Sequence, residues 1–118
     1  MPLDLSALNK YREFMGEEAD AFVADIVQTF LTSAPKALEE MKTLIADGKR
    51  TEFVRAAHTL KSNSATVGAN DLRQLCETME RQGNSLDAAA LESMLAQAVR
   101  EYQQAERELK DWLAKARN

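Results

Sequence analysis

Residues 91–116 read LESMLAQAVREYQQAERELKDWLAKA. Leu91, Leu95, Ala98, Tyr102, Ala105, Leu109, Trp112 and Ala116 follow one another at alternating intervals of four and three. On an α-helix those intervals return to one side, so the apolar residues form a stripe and the charged residues between them face away. A stripe sustained this long is a helix–helix seam. The rest of the chain has to supply the helices that cover it.

Glycines at 16, 48, 68 and 83 punctuate the sequence into five helical segments. The first runs from about Asp4 to Met15, with Leu5, Leu8 and Tyr11 or Arg12 along it and Gly16 as its stop. The second runs from Glu18 to Ala46. Its acidic start, Glu17, Glu18 and Asp20, suits a helix N-terminus. Phe22, Ile26, Phe30, Ala37, Met41 and Leu44 are read as its apolar stripe, and Pro35 predicts a bend near Leu31. The third runs from Thr51, read as an N-cap, to Val67. The fourth runs from Ala69 to Gln82 with Leu72, Leu75, Cys76 and Met79 on one side. Gly83-Asn84-Ser85 is a turn, with Asn84 or Ser85 capping the fifth segment. The second and fifth helices are each roughly 45 Å long, and short connections make neighbours antiparallel. The expected fold is all-α: an antiparallel up-down four-helix bundle with a short additional N-terminal helix, in a single domain spanning 1–118.

Composition agrees and excludes several functions. The 118 residues are 45% hydrophobic and 29% charged, which is globular rather than disordered. Gly numbers 4 and Pro 2, which leaves few helix breakers. A net charge of -4 argues against nucleic-acid binding by phosphate neutralisation. One cysteine provides neither an internal disulfide nor a thiolate zinc site, and one histidine excludes His-pair metal motifs. No apolar run is long enough to cross a bilayer, and Met1-Pro2-Leu3-Asp4 does not open a signal peptide. The expectation is a cytoplasmic monomer with no cofactor and no metal of its own. No nucleotide-binding glycine motif occurs.

The single histidine lies in Phe53-Val54-Arg55-Ala56-Ala57-His58-Thr59-Leu60-Lys61-Ser62-Asn63-Ser64-Ala65-Thr66-Val67-Gly68-Ala69. With about 100° per residue and His58 at zero, Phe53, Ala57, Leu60, Ser64 and Val67 fall between about 180° and 260° and form the core side. Val54, Arg55, Lys61, Ser62 and Ala65 fall within about 60° of His58. The imidazole therefore faces away from the core, with a cation a turn before it and another a turn after, and small residues alongside. A neutral imidazole is a nucleophile that needs no deprotonation. Flanking cations would stabilise an added phosphoryl group, and small neighbours would let a second protein approach.

The run His58-Thr59-Leu60-Lys61-Ser62-Asn63-Ser64, followed by Gly68-Ala69, resembles the signature of histidine-containing phosphotransfer (HPt) domains: His-x-Leu-Lys-Gly-Ser-(Ser/Ala), three residues, then Gly-(Ala/Ser). Phe30-Leu31-Thr32-Ser33-Ala34-Pro35 and Gly68-Ala69-Asn70-Asp71-Leu72 extend the resemblance over most of the chain. Ser62 replaces the usual Gly and stays small; Asn63 replaces Ser and has no assigned role. The resemblance implies that His58 accepts and donates a phosphoryl group through Nε2, although the sequence itself does not show which ring nitrogen, and that Lys61 holds the phosphoryl oxygens. It implies clearance at Ser62 and a family glycine at Gly68. Val54, Arg55 and Ala65 complete the expected binding surface. The implied partners are response-regulator receiver domains, which carry the Mg²⁺, and a hybrid sensor histidine kinase. Cys76 and Met79 are read as core. Two alternatives remain open on the sequence. One is a helical interaction module that docks a receiver without carrying phosphate. The other is the phosphoacceptor domain of a larger chemotaxis-type kinase.

Overall fold

A computed structural model describes residues 3–15 and 19–116. Five helices follow in order: α1 Ser6–Met15, α2 Ala19–Ala46, α3 Arg50–Thr66, α4 Asn70–Gln82 and α5 Ala88–Ala116, and no strand occurs among the described residues. α2, α3, α4 and α5 pack in a closed ring, each against the next and α5 against α2, while α1 packs on α2. The connections from α2 to α5 are short, as an up-down arrangement of those four helices requires, and the body measures 47 × 21 × 21 Å. This is the expected up-down bundle. The expected stop at Gly16 and the acidic residues Glu17 and Glu18 lie outside the described residues.

Two turns use the left-handed backbone that glycine tolerates. Gly48 (φ 72°) and Gly68 (φ 77°) end α2 and α3. At each, the glycine N–H and the next N–H bond back into the last helical turn: Gly48 to Ile45 and Lys49 to Leu44, then Gly68 to Ala65 and Ala69 to Ser64. That double closure satisfies carbonyls a helix end would otherwise leave open.

The α5 seam is buried as its spacing requires: Leu91, Leu95, Ala98, Tyr102, Ala105, Leu109 and Trp112, with Leu113 beside them. α2 departs from its expected stripe. Val23, Val27, Phe30, Ala34, Leu38, Met41 and Ile45 are buried, while Phe22 is 44% exposed and Ile26, Ala37 and Leu44 sit at the margin. Only Phe30 and Met41 belong to both sets. The expected stripe skipped a whole turn between Phe30 and Ala37. The small side chain of Ala34 fills that turn, and the other expected positions lie one residue before the buried ones both ahead of it and after it.

Pro35 lies inside an unbroken α2. It has no N–H to give the carbonyl four residues back, which is that of Leu31. The Tyr102 hydroxyl of α5 donates to that oxygen at 3.2 Å. The position where a bend was expected is thus a freed carbonyl with a donor from the neighbouring helix.

The caps also differ from the sequence reading. α3 begins at Arg50, after Lys49 and without a side-chain cap, so Thr51 is already helical. The Arg50 guanidinium instead donates to the carbonyls of Gly83 (2.8 Å) and Leu86 (2.7 Å), which ties the start of α3 to the α4–α5 turn. Asp87 caps α5 in place of Asn84 or Ser85, its Oδ1 accepting the Ala90 N–H at 2.8 Å.

Candidate functional site

α3 has two faces. Phe53, Ala57, Leu60 and Ser64 are buried, and the Ser64 hydroxyl is satisfied by the Leu60 carbonyl at 2.7 Å. His58 points the other way and its side chain is 60% exposed. Arg55, Ser62 and Ala65 are exposed around it. The hydroxyls of Thr59 and Thr66 donate to the carbonyls of Arg55 and Ser62, which engages their protons within the helix.

Two residues of the expected surface are less open than the others. Val54 is partly buried, and a Cβ placed on Gly83 would fall 2.6 Å from its Cγ2. Gly83 is therefore small to let the end of α4 close against α3. Gly68 is buried beneath the backbone of Asp4, whose N–H donates to the Gly68 carbonyl at 2.9 Å. A side chain there would collide with Asp4. Gly68 lies ten residues, or about 15 Å, along the helix from His58. It shapes the turn and does not reach the surface around the imidazole.

The structure adds Glu80 of α4, which the sequence reading missed. Its carboxylate meets His58 Nδ1 at 2.7 and 3.0 Å and Lys61 Nζ at 2.9 and 3.1 Å. Glu80 is only 18% exposed and Lys61 only 26%. The His58 hydrogen bond first, and the Lys61 hydrogen bond second, hold the Glu80 carboxyl below the usual glutamate range. An ionised carboxylate only accepts, so Nδ1 must carry the proton. The lone pair of the neutral ring then resides on Nε2. A carboxylate on the far nitrogen also fixes the ring orientation, as second-shell carboxylates do for metal-bound imidazoles.

A signal for Glu80 was present in the sequence. α3 and α4 form a hairpin folded at Gly68, so residues at similar distances from that turn lie abreast. Glu80 stands twelve residues after it and His58 ten before. Seeing this requires a register between helices, which one helix's periodicity does not provide.

Cys76, one turn before Glu80, is fully buried, and burial followed by the nearby Glu80 charge pushes its thiol up to about 12. It is a core residue with almost no thiolate at neutral pH. On the other flank of the exposed α3 surface, a groove of about 330 Å³ runs between α2 and α3. Phe22, Ile26, Thr29, Asn63 and Thr66 line it, which gives Asn63 a location but no chemical role. Among the described residues no group of three or more His, Cys, Asp or Glu side chains is placed to hold a metal ion. None of their helices is long and apolar enough to cross a membrane.

A bundle carrying one outward imidazole, its far nitrogen anchored by a neighbouring helix, defines a class that comparison with known proteins identifies. The model of the Hpt domain family matches residues 25–118, and the chain belongs to that family. Sensor protein TorS of Escherichia coli (strain K12) is 32% identical over 80 residues, which cover 68% of this chain. The chain corresponds to 8% of the length of that protein. Family and relative together support a phosphotransfer role in a phosphorelay.

Proposed function

We propose that this domain is a phosphocarrier that receives a phosphoryl group on His58 Nε2 from the aspartyl phosphate of one receiver domain and delivers it to an aspartate of another. The Nε2 lone pair forms the N–P bond, and the acyl-phosphate P–O bond breaks with its electrons going to the departing aspartate carboxylate. The Nδ1 proton stays on the ring, held by Glu80, so no proton has to be removed for attack. Delivery to the second receiver is the same exchange in reverse. Lys61 and Arg55 supply positive charge near the added group, and Ser62 and Ala65 leave room for the receiver. The acidic pocket and Mg²⁺ belong to the receiver, and this domain carries no kinase or phosphatase centre of its own. A hybrid sensor histidine kinase stands upstream in this reading, and the domain acts as a cytoplasmic monomer.

The observation that carries the proposal is the bond between His58 Nδ1 and Glu80 on an imidazole that is 60% exposed. The test is incubation with a phosphorylated receiver and Mg²⁺, with His58→Gln as control. The wild-type label should be acid-labile and base-stable, as a phosphoramidate is, and absent from His58→Gln. Equal labelling of the variant would remove His58 from the reaction.

A further inference from the structure

Glu80 serves two donors with one carboxylate. Both of its oxygens lie within 3.0 Å of His58 Nδ1, and both lie within 3.1 Å of Lys61 Nζ. The lysine that flanks the imidazole is therefore engaged before any phosphoryl group arrives. Lys61 is also a flexible point charge with three donors on a four-carbon stem, so it can change partners without moving its helix.

Phosphorylation alters the charges that compete for it. Before transfer the site holds a carboxylate, an ammonium and a neutral ring. After attack through Nε2 the ring retains its Nδ1–H and becomes cationic, and the phosphoryl group brings nearly two negative charges. Two anions, the Glu80 carboxylate and the phosphoryl oxygens, then face one lysine. The Nδ1–H···Glu80 bond strengthens as the ring becomes charged, so Glu80 keeps one partner whether or not Lys61 leaves.

We propose that Glu80 is the resting holder of Lys61, and that phosphorylation of His58 draws the Lys61 ammonium from Glu80 toward the phosphoryl oxygens. The competition sets how readily His58 gives the group up. This rests on His58 being the acceptor. Glu80 is a positioning residue: it acts through the ring orientation and through Lys61. While it retains part of the lysine's attraction, the phosphoryl group is less stabilised on His58 and passes on more easily. Glu80→Gln keeps an oxygen to accept the Nδ1–H and deletes the competing charge, which releases Lys61 to the phosphoryl group.

The test is the equilibrium of phosphoryl exchange between the full chain and a receiver domain charged with acetyl phosphate and Mg²⁺. Four proteins are compared: wild type, Glu80→Gln, Lys61→Ala and the double variant. Glu80→Gln weakens the bond to the cationic ring in either background, and only where Lys61 is present does it also release the lysine to the phosphoryl group. With Lys61, the shift caused by Glu80→Gln should therefore lie about tenfold further toward phospho-His58 than the shift it causes in the Lys61→Ala background, the scale of one additional charge-assisted hydrogen bond. Lys61→Ala alone should shift the equilibrium toward the receiver. A purely structural Glu80 would show no such dependence on Lys61. The proposal is overturned by equal shifts with and without Lys61, by a shift less favourable to phospho-His58 with Lys61 than without it, or by loss of phosphoryl acceptance in a folded Glu80→Gln. Glu80→Ala, which also removes the charge, replaces Glu80→Gln in the cycle if that variant does not fold. Labelling of His58→Gln would instead refute the acceptor assignment, so the two failures are distinct.

Discussion

Two polar contacts between helices of this bundle are built in opposite ways. Between α2 and α5, the Tyr102 hydroxyl meets the Leu31 carbonyl that Pro35 leaves without an N–H. It sits beside a tilted ring contact with Phe30, centroids 5.8 Å apart, within the seam. Between α3 and α4, one carboxylate is shared by an ammonium and an imidazole that is 60% exposed. The first contact closes a gap in the backbone hydrogen bonding inside the seam, with the Glu106 carboxylate as the hydroxyl's second acceptor at 3.4 Å. The second is oversubscribed and open to solvent, so its partners can be exchanged. Removing the first should affect stability, and perturbing the second should affect reactivity.

The largest effect that separates them is expected at Ser62, exposed one turn from His58 on the same face. Ser62→Phe should leave the fold intact and change stability by no more than about 0.5 kcal/mol, as exposed substitutions usually do. Transfer from a receiver should fall by about a hundredfold, since misplacing the reacting groups by an ångström can cost that much. Ser62→Gly should remain active. Normal exchange by a folded Ser62→Phe would mean that the receiver approaches from another side.

A smaller effect is expected in the seam. Tyr102→Phe should cost about 1 kcal/mol in chemical denaturation, the net value of one hydrogen bond, with transfer unchanged. In a Pro35→Ala background residue 35 can donate to Leu31 itself, so the same substitution should cost only a few tenths. A cost independent of residue 35 would mean that the hydroxyl does not compensate for the proline.

The smallest effects separate the contacts by pH. Burial first, then the Glu106 charge, pushes the Tyr102 hydroxyl from its ordinary 10 up to about 12. A folded value above the unfolded one stabilises below pH 10 and is lost as pH rises from 10 toward 12. Glu80 behaves oppositely. Its carboxyl is held below its ordinary 4.5, so its contribution is present above that value and declines as pH falls through the folded one. Denaturation midpoints of Tyr102→Phe should converge on wild type in alkali, and those of Glu80→Gln in acid. Convergence at the wrong end of the scale would reverse the direction assigned to that group.

Legibility in the sequence followed the same division. The α5 seam could be read residue by residue, because every one of its positions is large or falls at a regular interval. α2 was misphased by one residue at Phe22 and Ile26, where the larger side chains were preferred to the buried Val23 and Val27, and Ala34, which occupies a full turn of the buried stripe, is small enough to be passed over. On α3 the angular reading placed His58 and the buried face correctly, since both depend on a single helix. The cap at Thr51 failed because α3 begins one residue earlier without a side-chain cap, and Arg50 there donates to the α4–α5 turn, while the cap at Asn84 or Ser85 was set too early, since α5 begins at Ala88 with Asp87 accepting the Ala90 N–H. Glu80 and the partner of the Tyr102 hydroxyl escaped for a common reason. Each acts across a helix–helix interface on a group supplied by another segment.

The position of the added phosphorus on the ring tests the central claim most directly. Uniformly ¹⁵N-labelled protein, charged by a phosphorylated receiver, can be examined for the imidazole nitrogen that couples to ³¹P. With Nδ1 protonated and held by Glu80, phosphorus should couple to Nε2 of His58, and Nδ1 should retain its proton. Coupling to Nδ1, or a phosphorylated protein whose His58 ring carries no phosphorus, would contradict the account.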